Sequence, residues 1–175
     1  MPEVVAIELD SPQGEALQVE WDLDELAGRA GDRAAFEWTL SGELDWDEIE
    51  ALRVVSAALP DGRGLALVAL RPAGAGGHGD EAVAATLVAG GAAEPVAEPL
   101  LSVESGGDGL PRRVGLELHA GTDALPLRVA ADVTDSSRAR EGGVERIRAA
   151  LEVRLDGKRS AGAYDVLSAA GPAIR

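Results

Sequence analysis

Apolar and polar residues alternate with a period of two along most of this chain, and short runs of turn chemistry separate the alternating stretches. Val5, Ile7 and Leu9 alternate with Ala6 and Glu8, Asp10-Ser11-Pro12-Gln13-Gly14 turns the chain, and Leu17, Val19 and Trp21 then alternate with Gln18 and Glu20. That pattern predicts a hairpin. Residues 22–33 are polar and irregular, with Asp22 placed to cap one helical turn, and Phe36, Trp38 and Leu40 then line one face of a third strand. The segment Ile49 to Leu59 fits two patterns, because Ile49, Leu52, Val55 and Leu59 also mark a helical stripe with Asp47 as its cap. The turn Pro60-Asp61-Gly62-Arg63 between two apolar runs decides for a strand from about Ala51. Its partner, Leu65-Ala66-Leu67-Val68-Ala69-Leu70, is apolar on both faces and is expected to be a central strand covered on both sides.

Further along, 82–88 reads as a strand or a short helix. Leu100 to Glu104 is joined through Gly106-Gly107-Asp108-Gly109 to a strand marked by Val114, Leu116 and Leu118. Leu127 to Val133 follows, then a polar stretch over 134–143. The segment 144–151 admits a helix through Val144, Ile147 and Leu151, and Asp156-Gly157-Lys158 turns Leu151–Leu155 into Ala161–Leu167. About ten strands joined by short turns predict an all-β fold, an antiparallel barrel or tight sandwich, with short helices at most near 23–30, 82–88 or 144–150. The 175 residues are too few for two comfortable domains and predict one.

Composition narrows the chemistry. There is no cysteine, which removes disulfides and thiolate sites, and only two histidines. Lysine occurs once and asparagine never, a bias of GC-rich coding sequence. No apolar run reaches the roughly 18 residues of a spanning helix, and the first residues lack a basic-then-apolar leader, so a cytoplasmic protein is expected. The net charge of −15 is concentrated: residues 1–50 hold fifteen acids against Arg29 and Arg33, or −13, leaving −2 for the rest. Such a field repels phosphate backbones and anionic lipid, so neither nucleic acid nor membrane is an expected partner. A strongly negative face follows, either as a solubilising surface or as a dock for a basic partner.

Gly74-Ala75-Gly76-Gly77-His78-Gly79 matches the G-x-G-x-x-G spelling of a dinucleotide site. Arg71-Pro72 separates it from the preceding strand, and Asp80-Glu81 would repel a pyrophosphate, so a glycine loop is expected instead. The echoing clusters Asp22-Leu23-Asp24-Glu25 and Asp45-Trp46-Asp47-Glu48 carry oxygen ligands without the glycine and distal glutamate of a calcium loop. Capped turns explain both without a metal, and no metal or other cofactor is expected. His119 is a candidate general base only in isolation from any evident partner. Arg53 and Arg71 stand at the open end of their hairpin, where they could clamp a ligand carboxylate or pair with an acid of the N-terminal third. With Tyr164 one of five aromatic residues, the core must be made mainly of Leu, Val and Ala.

Four stretches carry a resemblance to a known family: Ala51 to Pro72, Gly74 to Glu81, Pro99-Leu100-Leu101-Ser102 through Arg112 to Leu118, and Val153 to Leu167, which contains Asp156-Gly157-Lys158-Arg159-Ser160-Ala161-Gly162-Ala163-Tyr164-Asp165. They resemble one module of the lipocalin-like AttH and carotenoid hydratase (hydroxyneurosporene synthase) group. The resemblance implies a calycin-type barrel, apolar small molecules as ligands, and hydration or cyclisation as chemistry. The two-module layout and the histidine- and tryptophan-rich motifs of that group are missing here, so the fold is the part expected to carry over. The expected function is binding of a hydrophobic small molecule in a β-barrel without catalysis, with Arg53, Arg71, Glu117, His119 and Tyr164 as contacts. An isomerase, hydratase or cyclase acting on an apolar metabolite and an acidic protein-interaction module are the alternatives. A homodimer is a further expectation, since the two-sided strand Leu65–Leu70 needs cover.

Overall fold

The structure, a computed structural model, describes residues 4–12, 14–28, 36–74, 81–119 and 126–169. Three strands come first: β1 (Val4–Asp10), β2 (Ala16–Asp22) and, after the single turn of helix α1 (Leu23–Leu26), β3 (Trp38–Ser41). Eight more follow: β4 (Ile49–Ala58), β5 (Gly64–Pro72), β6 (Ala82–Ala89), β7 (Ala92–Ser105), β8 (Pro111–His119), β9 (Leu127–Glu141), β10 (Val144–Leu155) and β11 (Lys158–Ala169). The first three form a separate sheet in the order β1-β2-β3, and the other eight close into an antiparallel barrel in the order β10-β11-β4-β5-β6-β7-β8-β9. The fold is therefore nearly all β, as the alternation predicts, with eleven strands among the described residues.

Turn chemistry lies where the sequence puts it. Asp156 and Gly157 both have positive φ, 51° and 78°, the pair of left-handed residues a two-residue hairpin turn requires. Both acidic clusters are capped turns: Asp22 Oδ1 accepts the Asp24 N–H at 2.8 Å, and Asp45 Oδ1 accepts the Asp47 N–H at 3.0 Å. Only the first continues into helix. The helical alternatives at 82–88 and 144–150 give way to β6 and β10, because both segments are held by ladders on either side: β6 by β5 and β7, β10 by β9 and β11. The polar stretch 134–143 is also strand as far as Glu141, pairing with β10 from Ala150 back to Val144. Ladder hydrogen bonds supply what apolar patterning lacks there. β4 starts at Ile49, two residues before the expected Ala51. β7 starts at Ala92, eight before the expected Leu100.

Two cores result, sharing β4 and β5 as their common wall. Inside the barrel, Val55, Leu65, Leu67, Leu116, Leu118, Val153 and Tyr164 belong to one buried cluster. Outside it, Val5, Val19, Trp21 and Leu26 pack on Leu52, Val54, Val68 and Leu70. Alternation on β5 divides its residues cleanly, Leu65, Leu67 and Ala69 inward and Ala66, Val68 and Leu70 outward. The second face is thus covered by the chain's own N-terminal sheet, which meets the need for which a homodimer was expected. Each Val or Leu so covered contributes roughly 1.5–3 kcal/mol.

Specific contacts fix the small sheet on the barrel. A Cβ at Gly64 would lie 2.2 Å from the Leu26 carbonyl oxygen, so only glycine lets the end of α1 approach β5. Trp21 and Trp38 are cross-strand partners on β2 and β3, and each indole N–H reaches the barrel. Trp21 donates to Ser56 Oγ at 2.8 Å and Trp38 to Asp165 Oδ2 at 2.9 Å.

Candidate functional site

Among the described residues, the ladder between β6 and β7 is the shortest in the barrel, a seam in its wall. β6 and β7 pair only from Ala85↔Val96 to Ala89↔Ala92, while Ala82–Ala84 pairs with β5 alone and β7 from Ala97 onward pairs with β8. The reason is written in β7. Pro95 and Pro99 each lack a ladder donor, and between Ala97 and Leu100 the register slips by one residue, a bulge in which Glu98 takes φ 47°. A left-handed non-glycine residue ahead of a proline is backbone strain, and the bulge breaks the regular pairing of β7 at this point. The free edge of β1 lies across the gap. The space enclosed by β1, β6 and β7 is a cleft of about 780 Å³.

The cleft is apolar with acidic points. Ile7, Val83, Ala85, Val96, Pro99 and Leu100 supply its walls, and Glu8, Glu81 and Glu98 its charge. Leu100 is 59% exposed, one of two large apolar side chains so exposed among the described residues, and the other, Val4 at 58%, is on β1.

Glu81 links the cleft to the barrel interior. Its side chain is 3% exposed and forms an ion pair through Oε1 with Arg53 Nη2. Arg53 follows the inward alternation of Val55 and Ala57 on β4, and its guanidinium also meets the hydroxyl of the buried Tyr164 from β11. Burial raises the Tyr164 phenol above its ordinary value, partly opposed by Arg53 and reinforced by Glu81. For Arg53, burial works against the charge, but Tyr164 and Glu81 more than offset it and hold the guanidinium more firmly protonated. Glu81 Oε2 and Arg53 Nε are buried and find no hydrogen-bond partner among the described residues.

The five residues singled out from sequence separate into three places. Arg53 and Tyr164 meet inside the barrel. Arg71, two ladder positions beyond Ala69↔Arg53, pairs through Nε with Glu50 Oε2 at 2.8 Å, an acid of the N-terminal third. Glu117 and His119 alternate with the inward Leu116 and Leu118 and therefore face outward on β8. There His119 Nε2 lies 3.7 Å from Glu117 Oε1, and Arg128 Nε lies 3.9 Å from Glu117 Oε2. Glu117 lines a shallow depression of about 480 Å³ that shares Leu100 with the cleft. Sequence reading missed Glu81 and the cleft. Pro95 and Pro99, four apart inside a strand, were the available signal.

The glycine motif lies outside the described residues from Ala75 onward, His78 included. Among the described residues no group of three metal-ligating side chains converges, and no helix is long and apolar enough to cross a membrane. No protein-family model matches the chain, and no curated protein matches it.

Proposed function

We propose that this protein binds an apolar small molecule, and that the cleft at the β6–β7 seam is where it binds. The observation that carries the reading is the cleft itself: a space of about 780 Å³, within the range of ligand pockets, whose lining residues include Ile7, Val83, Val96, Pro99 and the exposed Leu100. The resemblance to the carotenoid hydratase group points to the same ligand class. The cleft lies in the barrel wall, and none of the five contacts expected from sequence is among its described lining residues, while the barrel interior is filled by the inner cluster of Leu, Val and Ala side chains. The role is binding rather than turnover. Among the described residues Arg53 and Glu81 engage each other, and His119 faces outward on β8 rather than into the cleft.

The test uses N-phenylnaphthylamine, a neutral fluorophore that brightens in apolar surroundings. Its emission is expected to rise with the wild-type protein and to titrate several-fold more weakly with Leu100→Gln or Ala6→Trp. Both substitutions are at exposed cleft positions, so circular dichroism should be unchanged. Equal titration of all three proteins would overturn the reading. Native mass spectrometry of freshly purified protein adds an independent readout, a co-purifying apolar mass.

A further inference from the structure

We propose that the free edge of β1 takes up an extended segment of a partner protein as an added strand, one whose apolar side chains enter the cleft and whose alternate, basic side chains lie over the acidic outer face. The edge goes beyond the small-molecule reading, since it works through backbone groups and not through the apolar walls alone. Among the described residues β1 has one ladder partner, β2, and all seven of its residues pair there without a bulge. Ser11 donates its N–H to the Glu15 carbonyl at 2.8 Å, which closes the hairpin with a bonded pair. Antiparallel ladders alternate bonded and non-bonded pairs, so Leu9, Ile7 and Val5 are bonded to β2, and the N–H and C=O groups of Val4, Ala6, Glu8 and Asp10 point to the other edge. Ala6 and Glu8 line the cleft. Their backbone groups are therefore a strand template at its border, and β1 contains none of the proline, lysine or bulge that blunts such edges.

Side-chain direction and charge choose the occupant. Val5 and Ile7 of β1 face the core, while Val4, Ala6, Glu8 and Asp10 are exposed on the opposite face. A strand added to this edge continues both faces: every second residue points toward Val83, Val96 and Leu100, and the residues between stand beside Ala6 and Glu8. The outer face of the small sheet carries Glu8, Asp10, Glu20 and Asp22, and no lysine or arginine is among its described residues. A second copy of this chain would bring a like edge and a net charge of −15 with it, so self-pairing is opposed. A segment of alternating apolar and basic residues has its charge matched on one face and its apolar side chains covered on the other, while its backbone completes the ladder.

A fluorescein-labelled heptapeptide of alternating lysine and valine is the probe, read by fluorescence anisotropy at low salt. Saturable binding is expected, and a glutamate–valine heptapeptide should bind about tenfold more weakly. The lysine–valine peptide methylated on its lysine backbone nitrogens keeps its charge and side chains but loses the donors that face β1, and it should also bind about tenfold more weakly. On the protein, Ala6→Pro deletes one donor of the free edge, while the β1–β2 bonds, carried by the odd-numbered residues, stay in place. Its affinity for the unmodified peptide should fall about fivefold with N-phenylnaphthylamine emission unchanged. Equal binding of the methylated peptide overturns the added strand, and this arm uses the wild-type protein, so it decides even where Ala6→Pro does not fold. Equal binding of the glutamate–valine peptide overturns the basic partner. Absence of binding by the lysine–valine peptide overturns both and leaves the small-molecule reading to its own dye titration.

Discussion

Two buried carboxylates anchor arginines in this molecule, and they are finished differently. Asp165 on the outer face of β11 is 0% exposed, and both its oxygens are occupied. Trp38 donates to Oδ2 at 2.9 Å, Arg146 Nη2 to Oδ1 at 3.1 Å, and Arg148 Nη1 to Oδ2 at 3.2 Å. Arg146 also stacks over the Trp38 ring at 5.4 Å, and Arg148 reaches the Phe36 carbonyl at 3.5 Å. Glu81 at the seam has one oxygen engaged and one without a partner. The saturated carboxylate lies where the small sheet joins the barrel. The unsaturated one lies at the start of β6, beside the short β6–β7 ladder. A satisfied network holds structure together, and a buried oxygen without a donor is a cost that the surrounding packing has to carry.

The largest expected effect tests the saturated side. Asp165→Ala removes the shared acceptor of an indole and two part-exposed guanidinium groups at the joint between the sheets, and chemical denaturation should show a loss of about 3–4 kcal/mol from the lost charge-assisted hydrogen bonds. A loss below about 1 kcal/mol would mean that the cluster is decoration and that apolar packing alone holds the sheet on. Next comes the seam. Arg53→Met leaves the Glu81 carboxylate buried and unpaired, with an expected loss of about 3 kcal/mol, and the double variant Arg53→Met with Glu81→Met should regain most of it, because removing both charges removes the desolvation penalty with them. No such rescue is expected from Asp165→Leu with Arg148→Met, since Arg146 and Trp38 remain without an acceptor. Rescue at both places, or at neither, would erase the contrast.

The smallest effect is a pH dependence. The folded-state pKa of Tyr164 is raised above its ordinary 10.0, by burial first. Below that ordinary value both folded and unfolded phenols are protonated, and the stabilisation is present in full. Above it the unfolded phenol ionises first, so stability is lost as pH rises toward the folded-state value. Urea midpoints measured from neutral to strongly alkaline pH should fall more steeply for the wild type than for Tyr164→Phe. Parallel curves would place the phenol outside this linkage.

The same contrast shows what could be read in advance. The two-sided run Leu65–Leu70 announces a strand covered on both faces, because alternation leaves each face its own apolar row. Arg71 behaves as the commoner expectation for such a residue, pairing with Glu50 of the acidic third. Arg53 and Tyr164 were visible as candidates, yet Glu81, the carboxylate paired with Arg53, follows a glycine-rich stretch of sequence and carries no local mark. The saturated cluster was equally hidden, since Trp38 and Asp165 lie 127 residues apart.

Local chemistry alone determines the strand class, the Asp-capped turns, the positive-φ hairpin at Asp156-Gly157 and the concentration of negative charge in the first 50 residues. These depend on neighbours within a few residues, where side-chain direction and backbone dihedrals are set by alternation and turn sterics. Tertiary structure decides which of two plausible periodicities survives over 144–151, that the polar run 134–141 is strand, and that the β6–β7 ladder ends at Ala85↔Val96, ahead of the bulge at Glu98 and Pro99. It also decides which carboxylate is saturated. Each of these outcomes turns on hydrogen bonds between strands that the sequence separates, and a donor or acceptor reads the same in the chain whether its partner arrives or not.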